Sequence, residues 1–218
     1  MGEARGHGGK NLKPVAGNRR WPQLSRDEIA ARLAQPTASP GARDKHVVAL
    51  PPGSRIMLAA VLVALIPRDD ELHVLLTQRT AHLKDHPSQI SFPGGRVEGG
   101  DGNRIETALR EAEEEIGLAR ERVAILGTLP DYDMPSGFRI SPVVGWIEPP
   151  FALKLDPIEV ESAFEVPLSY VLDPDNHQYR SYEFNGRHRD YLAMPYEGRY
   201  IWGATAGILQ SLSRQLAD

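Results

Sequence analysis

The chain contains no cysteine in 218 residues, which excludes a disulfide scaffold, a thiolate nucleophile and any cysteine-ligated metal centre. It also lacks a long hydrophobic run. The longest uninterrupted apolar stretch, Ile56 to Ile66, is eleven residues, whereas a bilayer-spanning helix needs roughly twenty, so no membrane partner is expected. The opening MGEARGHGGK has none of the apolar core of a secretory leader, and a cytoplasmic location is the expectation. Aromatic residues are scarce at 7%, few enough that most are needed for packing. What remains is ordinary for a soluble globular protein, with 41% apolar and 25% charged residues. Charge is unevenly divided. Residues 1–45 hold nine Lys or Arg against four Asp or Glu, while the remainder holds 16 against 25. The basic arm has no interleaved aromatics and the body is acidic, so no nucleic-acid partner is expected.

Within that arm, Ser25-Arg26-Asp27-Glu28 forms a capping box, the serine oxygen accepting from the Glu28 amide and the Glu28 side chain reaching back. A short amphipathic helix follows through Ile29 and Leu33 and ends before Pro36. The predicted organisation is a basic N-terminal arm over 1–45, its first twenty-odd residues a solvated tail, and one domain over 46–218. LAAVLVALI, ending at Ile66, reads as a fully buried strand. Pro67-Arg68-Asp69-Asp70 supplies a turn, and Leu72 to Thr77 returns as the second strand of a hairpin. A helix is predicted from Ile105 to Gly117, with the glycine as its stop. Strands are expected over 123–129, 140–147 and 159–166, with a short helix from Pro167 through Val171. Residues 173–200 read as ambiguous short strands, and 202–216 as a closing helix. Strands early, with helices between and after them, give an α/β class with a mixed sheet between helices.

Chemistry concentrates in SFPGGRVEGGDGNRIETALREAEEEIGL, residues 91–118. At about 100° per residue, with Glu111 at zero, Glu115 lies near 40° and Glu114 near 300°, so the three share a face. Ile105, Ala108, Leu109, Ala112 and Ile116 form the apolar stripe that anchors it, and Glu113 points away. Clustered carboxylates on a rigid element suit a hard divalent cation, since Mg²⁺ takes oxygen ligands and keeps waters and phosphate oxygens beside them. Such a cluster is not diagnostic by itself. On an exposed helix, like charges at i,i+4 cost only about 0.2–0.5 kcal/mol a pair, and EAEEE alone more often marks plain surface. The weight comes from Phe92-Pro93-Gly94-Gly95 just upstream, a turn of minimal bulk where backbone approaches a ligand closely.

Together these residues resemble the signature of the Nudix hydrolases, G-x5-E-x7-R-E-U-x-E-E-x-G-U with U aliphatic. Gly95, Arg110, Glu111, Ala112, Glu114, Glu115, Gly117 and Leu118 fill its places. Asp101 stands at the first acidic place, with eight residues rather than seven between it and Arg110. The coenzyme A-cleaving branch is similar in both departures, and carries an upstream element LLTxR(S/A)x3Rx3Gx3FPGG. Here Leu75-Leu76-Thr77-Gln78-Arg79 and Phe92-Pro93-Gly94-Gly95 match it, with Thr80 for Ser or Ala, Lys84 for Arg and Ser88 for Gly. The resemblance runs from about residue 57 to the end.

It implies a Nudix-type α/β/α sandwich with a mixed β-sheet. It further implies Mg²⁺- or Mn²⁺-dependent hydrolysis of the pyrophosphate of coenzyme A or its derivatives, to 3′,5′-ADP and 4′-phosphopantetheine. By the same resemblance, Glu111 and Glu115 hold the metal, assisted by Glu114 and the Gly95 carbonyl, and Arg110 braces the carboxylates by an ion pair. Glu114 is the first candidate for the base and Glu159 the second, with an outer partner of the metal and a plain exposed strand residue as equal alternatives for Glu159. Arg79 and Lys84 are the candidate contacts to substrate phosphates. His82 and His86 fit no ligand pattern; Tyr132, Phe138, Tyr191 and Trp202 are of a kind that stacks on adenine, but aromatics of this number are more often core, and none is assigned a role. The competing readings are a Nudix enzyme for another nucleoside diphosphate derivative, such as ADP-ribose, and a Nudix-fold binding or regulatory domain without catalysis.

Overall fold

A computed structural model of the protein describes residues 23–36, 56–69, 71–184 and 187–217, apart from the side chains of Tyr182, Phe184 and residues 187–189. The N-terminal tail and the boundary placed at residue 45 lie outside the described residues. The chain runs α1 (Arg26–Leu33), β1 (Met57–Arg68), β2 (Glu71–Arg79), β3 (Ile90–Ser91), β4 (Gly94–Arg96), α2 (Arg104–Ile116), β5 (Val123–Thr128), β6 (Tyr132–Asp133), β7 (Phe138–Ile147), β8 (Val160–Pro167), α3 (Leu168–Leu172), β9 (Gln178–Phe184), β10 (Arg187–Tyr196), β11 (Arg199–Trp202) and α4 (Gly203–Ala217).

β1 organises the main sheet. It pairs in parallel with β7 and antiparallel with β2 and β4, so the sheet is mixed, and β5 and β8 extend it on either side. The period-2 alternation of a strand sends Ala60, Leu62, Ala64 and Ile66 to one face, where they meet Ala108, Ala112 and Ile116 of α2. Val63 and Leu65 go to the other, against Ile29 and Leu33 of α1, Val171 of α3, and Ile208, Leu209 and Leu212 of α4. Both faces are covered, which is why β1 reads as a continuous apolar run rather than an alternating one. The result is an α/β/α sandwich.

The Ser25 capping box forms, and its helix docks on the domain, where Gln215 donates to the Arg32 carbonyl at 2.6 Å. Three local expectations change. The predicted turn at 92–95 includes strand β4, because Gly94–Arg96 pairs with Val61–Ala59 of β1. The ambiguous short strands expected over 173–200 resolve into Gln178–Phe184, Arg187–Tyr196 and the start of Arg199–Trp202, paired as the antiparallel meander β9–β10–β11. Trp202 closes β11 rather than opening the helix, which begins at Gly203.

Candidate active site

Helix α2 is fixed at both ends by its own sequence. The Asn103 side chain accepts from the amides of Ile105 and Glu106 at 2.9 and 3.1 Å, capping the orphan N–H groups of the first turn. At the far end Gly117 turns left-handed, a conformation glycine adopts without penalty. With the apolar stripe buried on β1, the acidic residues are spread across the rim of the helix. Glu115 borders the stripe and its side chain is 5% exposed, Glu111 16% and Glu114 60%. The shared face inferred from the helical wheel is therefore a gradient from core to solvent.

The turn before α2 is built around these acids. The Gly94 amide donates to Glu115 Oε2 at 3.1 Å, and a Cβ on Gly94 would fall 2.4 Å from the Ala60 carbonyl oxygen. A Cβ on Gly95 would fall 2.4 Å from Glu111 Oε1, so the Glu111 carboxylate lies in a cradle that exists only because residue 95 has no side chain. On the other side, Arg79 Nη1 at the end of β2 sits 3.6 Å from Glu115 Oε1. Arg110 is the brace. It contacts Glu111 at 3.0 Å and Glu114 at 2.9 Å through Nη1, while Nε and Nη2 grip Asp101 at 3.0 and 3.1 Å.

Electrostatics distinguish the acids. Burial, with the nearby charges of Glu111 and Glu159, pushes Glu115 up to about 8, against the Gly94 hydrogen bond and Arg79. Burial also raises Glu111, opposed by Arg110 and reinforced by the charges of Glu114 and Glu159. Asp101 behaves oppositely. Arg110, with the Glu98 amide and the Thr107 hydroxyl, holds it well below the usual carboxylate range.

Glu159, just ahead of β8, is brought to the same place. Its carbonyl accepts from the Thr80 amide at 3.0 Å, and the Thr80 hydroxyl donates to the Ile158 carbonyl at 2.7 Å. Lys84 is exposed on the loop between β2 and β3. In that loop His86 and Ser88 both take positive φ, 55° and 58°, so Ser88, standing where the resembled element has glycine, takes a left-handed backbone that glycine favours. Sequence reasoning missed the clasp of Asp101, Thr107 and Arg110; the one extra residue before Arg110 was its only trace. It also missed the Thr80 tether, which no local pattern announces. Among the described residues no three acidic or imidazole groups close up into a ready metal cage. The donor set nevertheless fits a Mg²⁺-type ion, which commonly uses one or two carboxylates with waters and substrate phosphates. Two mutually repelling, partly buried carboxylates and a cradled Glu111 are what such an ion would relieve.

The NUDIX domain model matches residues 57–184. Proteins described as uncharacterized Nudix hydrolase NudL, from Enterobacter sp. (strain 638) and Citrobacter koseri, are 40% and 42% identical over 159 residues, covering 72% of this chain and 82% of each relative. A crystal structure of a MutT/nudix family protein from Enterococcus faecalis is 16% identical with a TM-score of 0.48, over 91% of this chain and 76% of that one. No described helix is long and apolar enough to cross a membrane. With the domain model spanning more than half of the sequence and relatives at 40% identity or better over most of it, the chain belongs to the Nudix hydrolase family.

Proposed function

We propose that the protein hydrolyses the pyrophosphate linkage of coenzyme A or its derivatives in a divalent-metal-dependent reaction, releasing 3′,5′-ADP and 4′-phosphopantetheine or its acyl form. One observation carries this reading. The LLTQR…FPGG element, which precedes the general Nudix signature and shares only Gly95 with it, folds onto the signature helix at both of its ends. Arg79 at its start faces Glu115, and Gly94 and Gly95 at its close hold Glu115 and Glu111. An element so joined to the acidic helix is suited to choosing the substrate cleaved there.

Glu111 and Glu115, with the Gly95 carbonyl and water, would hold Mg²⁺ or Mn²⁺, with Glu114 assisting. When bound, the ion supplies positive charge for the phosphate oxygens and acidifies water. The chain's own groups supply position. Arg110 keeps Glu111 in the Gly95 cradle, and the Gly94 amide fixes Glu115. Arg79 and Lys84 present cations to the phosphates, Arg79 turning from Glu115 toward the incoming anion. In the reaction a water oxygen bonds to one phosphorus, the bond from that phosphorus to the bridging oxygen breaks, and a carboxylate takes the water's proton. Of the two candidate bases we favour Glu159, whose charge bears on both Glu111 and Glu115, over Glu114, which pairs with Arg110 at the solvent edge.

The test is a panel of coenzyme A, ADP-ribose, diadenosine tetraphosphate and nucleoside triphosphates with Mg²⁺ or Mn²⁺. Coenzyme A should be consumed most efficiently, with 3′,5′-ADP as product; turnover of ADP-ribose alone would overturn the substrate assignment. Repeating the assay with E159Q and E114Q decides the base, which is Glu159 if only the former loses turnover by about 100-fold or more.

A further inference from the structure

The meander β9–β10–β11 has two unlike faces. Leu192 and Met194 of β10 point into the core. The opposite face carries Tyr191, Ala193 and Pro195, with Trp202 paired to Ala193 and Tyr200 to Pro195 across the strand boundary, and Arg180 paired to Tyr191 on the other side. Trp202 is 38% and Tyr200 45% exposed, large rings left toward solvent in a chain poor in aromatics. Ala193 among them is fully buried, as expected if the rings lie over it.

The rings are also held in place. Tyr191 meets Trp202 edge-on, with centroids 5.7 Å apart and planes at 78°, a favoured aromatic geometry. Its hydroxyl lies 3.0 Å from that of Tyr200. The result is a prearranged aromatic surface with Arg180 at its rim.

Its position links it to the acidic helix. β11 packs against β3, and the Thr205 hydroxyl, at the start of α4, donates to the Ile90 carbonyl of β3 at 2.9 Å. From Ile90 the chain needs only four residues to reach Gly94, whose amide holds Glu115; at full extension that is at most about 14 Å. The loop bearing Lys84 leaves from Arg79 and returns to the same Ile90. The Gly94 turn that holds Glu115, the loop bearing Lys84 and the strand that carries Tyr200 and Trp202 therefore all meet one short segment, β3 and the turn after it.

We propose that Trp202 and Tyr200, braced by Tyr191, form a stacking platform for the purine ring of the nucleotide whose diphosphate is cleaved at α2; the assignment to that substrate rests on the hydrolase reading above. A purine presents a flat π-face that stacks on indole and phenol rings without requiring sequence-specific hydrogen bonds, and the neighbouring cations suit its phosphates.

The test uses the full chain and AMP as the probe, read by tryptophan fluorescence. AMP should quench wild-type emission saturably, ribose 5-phosphate should not, and W202F should lose the response. Y200L, a change at an exposed position, should weaken AMP binding about 10-fold, within the range for loss of one stacked base, with an unchanged melting temperature. It should also raise KM for the hydrolysed substrate while leaving kcat little altered. Absence of saturable quenching by AMP, equal quenching in W202F, or an equal response to ribose 5-phosphate overturns the platform. So does a dimer that Y200L dissociates without any nucleotide response, since the face then binds a second copy of the chain. Coenzyme A cleavage without AMP quenching removes the platform and keeps the hydrolase; quenching without cleavage does the reverse.

Discussion

Asp101 and Glu115 are acids at the two ends of one helix, and the fold treats them in opposite ways. At the approach to α2, Asp101 receives two guanidinium nitrogens, a backbone amide and a hydroxyl. Every contact favours its charge. At the exit, Glu115 has one amide and a more distant arginine, while two further carboxylates add negative charge beside it. Asp101 is therefore a structural acid whose charge holds the loop to the helix. Glu115 is a charge the isolated protein supports poorly and a bound cation would stabilise. The difference teaches that exposure and sequence spacing do not sort acids by role; the sign of the surrounding field does.

Neutralising each end separates the roles. E115Q should reduce hydrolysis by more than about 100-fold, because even indirect partners of metal ligands commonly cost 10–100-fold. Its melting temperature in the absence of divalent ions should stay level or rise, since a poorly supported buried charge is removed. D101N should lower the melting temperature through loss of the clasp and reduce activity less. A D101N enzyme as dead as E115Q, with unchanged stability, would erase the distinction. Next in size is G95A. The three heavy atoms nearest the added Cβ all belong to the carboxylate of Glu111, the movable end of a long side chain. The fold should survive while activity falls about 10- to 100-fold through displacement of the Glu111 carboxylate proposed to hold the ion; thermal denaturation and kcat measured together check this.

The same contrast predicts two opposite pH dependences of stability. Glu115 has a folded-state pKa raised above its unfolded value, so the native state binds the proton more tightly. Its favourable contribution is present at low pH and is lost as pH rises toward about 8, with a slope of at most about 1.4 kcal/mol per pH unit. Asp101 has a depressed pKa. Its contribution is present above the ordinary aspartate range and is lost as pH falls below it. Urea denaturation with chelator from pH 5 to 8 should show declining stability in the wild type, a flatter profile in E115Q, and a decline reduced by Mg²⁺. His177, whose burial lowers its pKa, contributes the opposite slope, so the difference between the two profiles is the test: an E115Q profile as steep as the wild type's would contradict the raised pKa of Glu115.

Much of this was legible beforehand because local rules govern it. The buried run of β1, the Ser25 box, the Gly117 stop and the three acids near one helical face follow from periodicity and capping alone. The depth of each acid was not legible. A helix wheel gives an angle, but whether 40° from Glu111 means core or rim depends on how closely β1 and the Gly94 turn approach. The meander was obscured for a similar reason: Tyr191, Tyr200 and Trp202 lie on an outward face, so aromatic and apolar residues fall on both sides of its strands and blur the alternation. The role of Asp101 was hidden because Arg110 reaches it from the next turns of the helix, across a loop whose path the sequence does not specify.

The smallest expected effect concerns the loop between β2 and β3 that bears Lys84. Lys84 is exposed, and an exposed charge pair contributes about 0.2–1 kcal/mol, or up to roughly 5-fold in affinity. K84A should therefore raise KM for coenzyme A a few-fold with kcat unchanged, and the effect should fade as salt is added. Comparison with dephospho-coenzyme A identifies the phosphate. If Lys84 meets the 3′-phosphate, wild type and K84A should handle the dephospho compound alike, because the contact is already missing. An equal penalty on both substrates would place Lys84 at the diphosphate, on the same side of the site as Arg79 and Glu115. The loop would then belong with the acidic end of α2 and not with the nucleotide beyond it.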